Sequence, residues 1–213
     1  MAPIKFINSK NSAYELRLKN KPVYEILSRF FDIVMSFLVL FVGLPFVLIA
    51  AVAIKIEDGG PVFYSQTRLG KNSRTFTIYK IRSMRIDAEA NGAVWAMHED
   101  HRITKVGKVI RKTRIDELPQ LFNIFNGDMK IIGPRPERPE LAEEFYLDLP
   151  EFVNRLAVKP GLTGLAQISG GYDLTPAEKL ILDVEYIEKR GFVLDLKITL
   201  KTIAVVFTGE GAR

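Results

Sequence analysis

The run Arg111-Lys112-Thr113-Arg114-Ile115-Asp116-Glu117-Leu118-Pro119-Gln120 sets cations directly upstream of two adjacent carboxylates. A carboxylate can attack phosphorus and form an aspartyl phosphate. Guanidinium and ammonium groups beside it would hold phosphate oxygens, arginine through a two-pronged fork and lysine as a point charge. A helix is expected to start here. Capping by Asp116 would put Pro119 in the first turn, where its missing donor costs little; capping by Thr113 would make Pro119 a kink. Either way the acids stand near a helix N-terminus, where backbone donors and the dipole favour negative charge. The same chemistry also describes a capped surface helix with solvated ion pairs. Adjacent helical residues point about 100° apart, so the two acids need not face one target.

Further phosphate-binding candidates are Arg68 in Gln66-Thr67-Arg68-Leu69-Gly70, Lys80 and Arg82 in Tyr79-Lys80-Ile81-Arg82-Ser83-Met84, and Arg135 between two prolines. Each is weak alone. His98-Glu99-Asp100-His101 invites a metal reading, which is rejected because the segment is loop-like and lacks the helical His spacing of zinc hydrolases.

Several elements are expected to position these residues. Val62-Phe63-Tyr64 and Thr75-Phe76-Thr77-Ile78-Tyr79 read as short strands around a Gly70-Lys71-Asn72 turn. Residues 87–105 read as loop. Ile115, Leu118, Leu121, Phe122 and Phe125 recur at helical spacing, and a turn at Asn126-Gly127-Asp128 leads to a short apolar strand. Thr175-Pro176-Ala177-Glu178 is a capping box with proline at the first helical position. The helix it starts should bury Leu180, Ile181, Val184 and Ile187. The last helix has Leu196, Leu200, Ile203, Ala204 and Phe207 on one face, Lys197 and Lys201 on another, and Gly209 to end it. It suits a membrane interface.

From Ile33 to Ile54 the chain has no charged residue. A straight helix of that length is roughly 33 Å long, against roughly 30 Å of bilayer hydrocarbon. Pro45 sits near its middle and should bend it into two arms, each reaching about halfway through. Both flanks are basic, with Arg17, Lys19, Lys21 and Arg29 on one side and Lys55, Arg68, Lys71 and Arg74 on the other. Positive flanks prefer the cytoplasm, so a re-entrant hairpin is preferred to a single span. Residues 1–29 read as a basic surface helix. The expected organisation is a 1–32 interfacial segment, a 33–56 re-entrant membrane helix and a 57–213 cytoplasmic catalytic domain. The fold class is α+β and mostly helical, with short strands and amphipathic interfacial helices.

The whole chain has 213 residues, a net charge of +5 and no cysteine. The charge favours anionic partners, and the absence of thiols excludes disulfides and thiolate metal sites. A cleavable signal peptide is not expected, because the apolar run starts late and no small-residue cleavage site follows it.

In order along the chain, these motifs resemble the bacterial sugar transferase family, the monotopic polyprenol-phosphate phosphoglycosyl transferases. Besides the segments quoted, the resemblance rests on Asn123-Ile124-Phe125-Asn126-Gly127-Asp128-Met129, Ile132-Gly133-Pro134-Arg135-Pro136-Glu137, Lys159 through Gly170, and the region from Asp183 to Tyr186. It implies a re-entrant membrane helix, magnesium and a covalent intermediate. Asp116 would attack the β-phosphorus of a UDP-sugar and touch the metal; UMP would leave, and polyprenol phosphate would take the sugar phosphate. Glu117 would be a proton acceptor or an organiser of the site. Lys80, Arg82, Arg111, Arg135 and Arg68 would bind phosphate or nucleotide. It further implies the cytoplasmic face of the bacterial inner membrane, contact with anionic lipid headgroups, and a place in exopolysaccharide or glycoconjugate synthesis. A homo-oligomer is compatible with it.

Two positions depart from the family pattern. Leu44-Pro45 stands where some members have Ser-Pro, and Ser169-Gly170-Gly171-Tyr172 lacks an arginine that some members carry in that turn. Larger relatives carry extra transmembrane helices and a soluble domain; this chain is expected to be the catalytic core alone. Two alternatives stay open, direct transfer without a covalent intermediate and a non-catalytic basic membrane-anchored module. Few aromatics interleave the cations, so nucleic acid is not an expected partner.

Overall fold

The computed structural model describes residues 16, 18–90 and 100–208. Its first element is a single long helix, α1 (Pro22–Asp58), with proline in its first turn, Pro45 inside it and Gly59 ending it in the left-handed conformation at φ 69°. Lys55 lies in its last turn, where a cation offsets the helix dipole. The helix begins well before the uncharged run at Ile33. An 18-residue window within it has a mean hydropathy of 2.9.

Most of α1 is exposed and apolar, but one narrow stripe is buried: Tyr24, Ser28, Asp32, Ser36, Gly43, Ala50 and Ile54. Steps of four and seven residues keep these on one face. That stripe lies against the rest of the molecule along the whole helix. Lys130 Nζ donates to Ser28 Oγ at 2.6 Å, and the Ile131 amide donates to Asp32 Oδ1 at 3.1 Å. A methyl added at Gly43 would lie 2.9 Å from Leu118 Cδ1. Ala50 and Ile54 pack with Ile81 and Ile110. At the far end, Arg82 clasps Asp58 at 2.6 and 2.7 Å, and Glu57 accepts from the Lys105 amide at 2.8 Å.

After α1 come β1 (Phe63–Leu69) and β2 (Thr75–Ile81), an antiparallel hairpin in which Phe63 pairs with Ile81 and Leu69 with Thr75. Both strands are longer than the sequence pattern suggested, because the hairpin continues through alternating polar residues. Asn72 and Ser73 take positive φ in its turn. Next are α2 (Lys105–Lys112), α3 (Gln120–Asn126) and β3 (Lys130–Ile132). Then come α4 (Pro139–Asp148), a 3-10 segment over 150–157, β4 (Gly161–Thr163) and α5 (Leu165–Ser169). The chain closes with α6 (Pro176–Lys189) and α7 (Phe192–Thr208). β3 and β4 form a short parallel pair. The expected mostly helical α+β class is therefore the observed one.

The core forms several patches under these elements. Ile132, Val158, Tyr186, Ile187 and Ile198 make one, and Ile78, Leu121, Ile124 and Met129 another. The capping box is present: Thr175 accepts from the Glu178 amide, and Glu178 accepts from the Thr175 amide at 2.8 Å. Of its expected apolar face, Leu180, Val184 and Ile187 are buried, but Ile181 is 67% exposed. Asp183 and Tyr186 are buried instead, because each has a polar partner in the interior. On α7, Leu196, Leu200 and Ile203 are exposed, while Ile198 is fully buried on the opposite side. Lys197 and Lys201 are exposed too. Gly209, His98, Glu99 and all of residues 1–17 except Leu16 lie outside the described residues, and Asp100 is held by Arg102 at 2.8 Å. The basic surface helix expected over 1–29 is not the observed arrangement in its described part: Leu18–Lys21 are not helical, and 22–29 belong to α1, where Tyr24 and Ser28 are buried against the domain.

Candidate active site

The carboxylate pair is presented by neither of the two caps that the sequence allowed. Thr104 caps α2 by accepting from the Gly107 amide, and Thr113 ends that helix rather than starting another. Gly107 is required there, since a methyl on it would lie 1.9 Å from the Ser83 carbonyl oxygen. Arg114 then reverses the chain in the left-handed region, at φ 57° and ψ 15°. For a non-glycine residue this costs of order 1–3 kcal/mol and persists only where packing enforces it. Ile115–Glu117 follow as a 3-10 turn, and Pro119 takes the N-cap position of α3. Asp116 and Glu117 thus sit in a tight turn between two helices.

Opposite that turn lies β2. Asn123 on α3 fixes the distance: its amide donates to the Thr77 carbonyl at 2.7 Å, and its oxygen accepts from the Tyr79 amide at 3.3 Å. This pinning brings the next strand residue, Lys80, to the carboxylates. Lys80 Nζ is 3.2 Å from Glu117 Oε1 and 3.7 Å from Asp116 Oδ2. Arg135 reaches the same Glu117 oxygen at 2.9 Å.

The Arg135 loop is itself tightly held. Pro134 and Pro136 restrict its backbone. The Gly133 amide donates to the Thr163 carbonyl, and the Gly161 amide to the Pro134 carbonyl, each at 2.9 Å. A methyl on Gly161 would lie 2.0 Å from the Gly133 nitrogen, so this close approach excludes any side chain. Beneath the loop, Arg155 donates to the Arg135 carbonyl at 3.0 Å and to Asp183 at 2.6 Å, and reaches Glu137 at 3.4 Å.

These groups line a cleft of about 660 Å³, shared by Arg68, Lys80, Arg111, Asp116, Glu117 and Arg135. One part of its wall is apolar and comes from Val39 of α1 and from Val205 and Val206 of α7. Burial raises the Asp116 carboxyl above the usual range, and the Glu117 charge adds to this against Lys80, Arg111 and Arg114. Burial would raise Glu117 as well, but Arg135, Lys80 and Arg114 outweigh it and hold that carboxyl low. The two neighbours therefore differ: Glu117 is firmly ionised, while Asp116 is less completely compensated.

Most sequence candidates meet here, but their tasks differ. Lys80 and Arg135 touch the carboxylates directly. Arg68 stands at the rim, donating to the Pro136 carbonyl at 3.3 Å and to Gln66. Arg82 also borders the cleft, yet its guanidinium is buried and engaged by Asp58 and by the carbonyls of Pro61 and Met84. It ties β2 to the end of α1 and so positions the site. Sequence reasoning passed over Asn123 and Arg155 as individual residues. Asn123 had a signal, a polar residue between the buried Leu121 and Ile124. Arg155 had none, since its partner Asp183 is far along the chain.

As oxygen donors for a cation beside Lys80 the cleft offers Asp116 and Glu117; Glu89 and Glu137 also line it but are engaged by Arg138 and Arg155. Among the described residues there is no group of three or more His, Asp or Glu that could cage a metal. One or two carboxylates completed by substrate phosphates and water is the arrangement that suits magnesium, and the donor set fits it.

A model of the family described as bacterial sugar transferase matches residues 23–209. The chain is 44% identical over 195 residues to the UDP-N-acetylgalactosamine-undecaprenyl-phosphate N-acetylgalactosaminephosphotransferase of Aeromonas hydrophila, covering 90% of this chain and 46% of that protein. It is 36% identical over 193 residues to the UDP-glucose:undecaprenyl-phosphate glucose-1-phosphate transferase of Caulobacter vibrioides, covering 88% and 72%. It is 39% identical over 196 residues to the exopolysaccharide production protein PSS of Rhizobium leguminosarum bv. phaseoli, covering 87% and 98%. The chain thus spans about half the length of the first of these relatives and nearly all of the last.

Proposed function

We propose, for a chain that belongs to the bacterial sugar transferase family, that it moves a sugar 1-phosphate from a UDP-sugar to polyprenol phosphate at the cytoplasmic face of the bacterial inner membrane. The observation that carries this reading is the cleft itself. A compensated carboxylate pair stands among phosphate-binding cations, and the wall beside it is built from α1 and α7. A charged donor and a greasy acceptor can meet there. Each relative named above with a stated reaction uses undecaprenyl phosphate.

In the first step an Asp116 carboxylate oxygen bonds to the β-phosphorus as the bridging oxygen leaves with UMP. In the second, a phosphate oxygen of the polyprenol phosphate bonds to that phosphorus, and the Asp116 carboxylate is released. Phosphoryl transfer depends mainly on positioning and on neutralising developing charge. Lys80 and Arg135 hold Glu117 and the nearest phosphate oxygens, while Arg111 and Arg68 bind farther along the diphosphate. Glu117, kept ionised, orients Lys80 and Arg135. Magnesium, when bound by Asp116 and the diphosphate, would neutralise phosphate charge and offset the burial that raises the Asp116 carboxyl.

The packing of α1 supports a re-entrant placement. Its first turns are bonded to β3, its middle lies on Leu118 and its last turn is clasped by Arg82. A helix crossing the bilayer would carry one end away from the domain. Pro45 leaves the carbonyl of Phe41 without its helical donor, which makes this the natural place for a bend.

The test is UMP release from UDP-sugars by the full chain in detergent, with and without polyprenol phosphate. Acceptor-dependent turnover supports the reading. No UMP from any UDP-sugar, with acceptor and magnesium present, would refute it.

A further inference from the structure

Among the described residues three take positive φ without being glycine: Asn72, Ser73 and Arg114. Asn72 and Ser73 are short and share one turn, between β1 and β2. Elsewhere the chain takes positive φ on Gly59, Gly127 and Gly171. Arg114 is the exception in size. Glycine reaches this conformation without steric cost, and asparagine visits it several times more readily than most side chains. Nothing in the backbone asks for a side chain there. The Arg114 amide donates to the Arg111 carbonyl at 3.1 Å, and the Arg114 carbonyl accepts from the Glu117 amide at 3.2 Å. Glycine would make both bonds. The position therefore keeps its guanidinium against a strained backbone.

The surroundings explain why a guanidinium is kept. Arg114 is half-buried and lines the cleft together with Lys80, Asp116, Glu117 and Arg135. Its charge bears on both carboxyls, as the charge of Lys80 does. The bond from the Glu117 amide ties Arg114 to the 3-10 turn that carries Asp116. Arg111 lies in the last turn of α2, and Arg68 stands on β1, so neither belongs to that turn. Strain of this kind collects where a scaffold holds a group in place for chemistry. A guanidinium fixed beside a carboxylate nucleophile meets the oxygens of whatever phosphorus that carboxylate attacks.

We propose that Arg114 is a further catalytic residue, whose guanidinium binds the β-phosphoryl group attacked by Asp116. The assignment rests on the reaction given above. It separates Arg114 from the cations that bind farther along the diphosphate.

The test compares the full chain with its Arg114→Gly, Arg114→Asn and Arg114→Lys variants, in detergent with magnesium. Calorimetry with UDP and with UMP separates the two phosphate positions, because only UDP carries a β-phosphate. Arg114→Gly should bind UDP roughly tenfold more weakly and UMP as wild type does. In UMP release from a UDP-sugar with polyprenol phosphate, its kcat should fall roughly a hundredfold, with a smaller change in KM. Arg114→Lys keeps the charge and should lie between glycine and wild type. Arg114→Gly should nonetheless unfold at the wild-type temperature or above, because glycine relieves the left-handed strain. Wild-type kcat and UDP affinity in Arg114→Gly overturn the proposal. Equal weakening of UDP and UMP does so too, since it would put the arginine on the leaving nucleotide. A large loss of thermal stability in both Arg114→Gly and Arg114→Asn would make the side chain structural and overturn it as well. A wild-type chain that neither binds UDP nor releases UMP would instead sink the proposed function, and the assignment with it.

Discussion

The Lys80 cluster and the Arg155 cluster use the same residue types on two sides of the Arg135 loop. In the Arg155 cluster the guanidinium is closed in by its partners, and Asp183 is bonded through one oxygen while Oδ1 is buried without a hydrogen-bond partner. Arg155 is buried, donates to Asp183 at 2.6 Å, and serves Glu137 and the Arg135 carbonyl as well. Burial raises the Asp183 carboxyl, and Arg155 is the main influence opposing it. In the Lys80 cluster the geometry is looser and faces the cleft. Asp116 has Lys80 at 3.7 Å, beyond hydrogen-bond range, while Glu117 takes both short contacts. The difference separates a charge cluster that holds structure together from one with a carboxylate left over for chemistry.

Substitutions can break or sharpen that contrast. Lys80→Met should lower turnover by roughly a hundredfold or more, the scale of losing one preorganised charge-stabilising group, with only a modest change in thermal unfolding. A large loss of stability with activity preserved in the folded fraction would assign Lys80 to the structural side. Arg155→Met should behave the other way. Removing one partner of a buried pair leaves an uncompensated charge and costs about 3 to 5 kcal/mol, measured by denaturant unfolding in detergent. Unfolding at the wild-type midpoint would show that the Arg155 cluster is not structural.

The exposed cap of α6 lies outside both clusters and calibrates them. Thr175→Ala should cost about 1 kcal/mol and leave the kinetics of UMP release unchanged. The smallest effect is a pH dependence. Hydrogen bonds from the Thr175 amide and hydroxyl hold the Glu178 carboxyl below its ordinary value. Its contribution is therefore present above the unfolded-state pKa and is lost as pH falls through the lower folded-state value. The stability gap between wild type and Glu178→Gln should close in that acid range and stay constant near neutrality.

What the sequence made legible is what short-range rules govern. The α6 cap is written in four consecutive residues, and the hairpin in its alternation and its Gly-Lys-Asn turn. The apolar length of α1 was plain, but its continuity back to Pro22 was not, because Ser28 and Asp32 are polar and their buried side chains find partners only on β3. The identity of the carboxylate pair was evident from its neighbours. Its setting was not, since the left-handed Arg114 follows from how α2 packs through Gly107 and Ile110 onto Ser83 and α1. Arg82 misled for a related reason: an arginine beside a lysine on a strand looks like a phosphate ligand until Asp58 is brought to it from the end of α1. Arg155 and Asp183 could not be paired by spacing at all, because only the folded chain places them in contact.

The central claim is that the Asp116 carboxylate bonds to phosphorus. It is tested most directly by incubating the full chain with a UDP-sugar and magnesium, without acceptor, then quenching and mapping peptides by mass spectrometry. The account predicts a phosphosugar on the peptide containing Asp116, discharged when polyprenol phosphate is added and absent from Asp116→Asn. An unmodified peptide from wild-type enzyme that turns over normally once acceptor is supplied would contradict it.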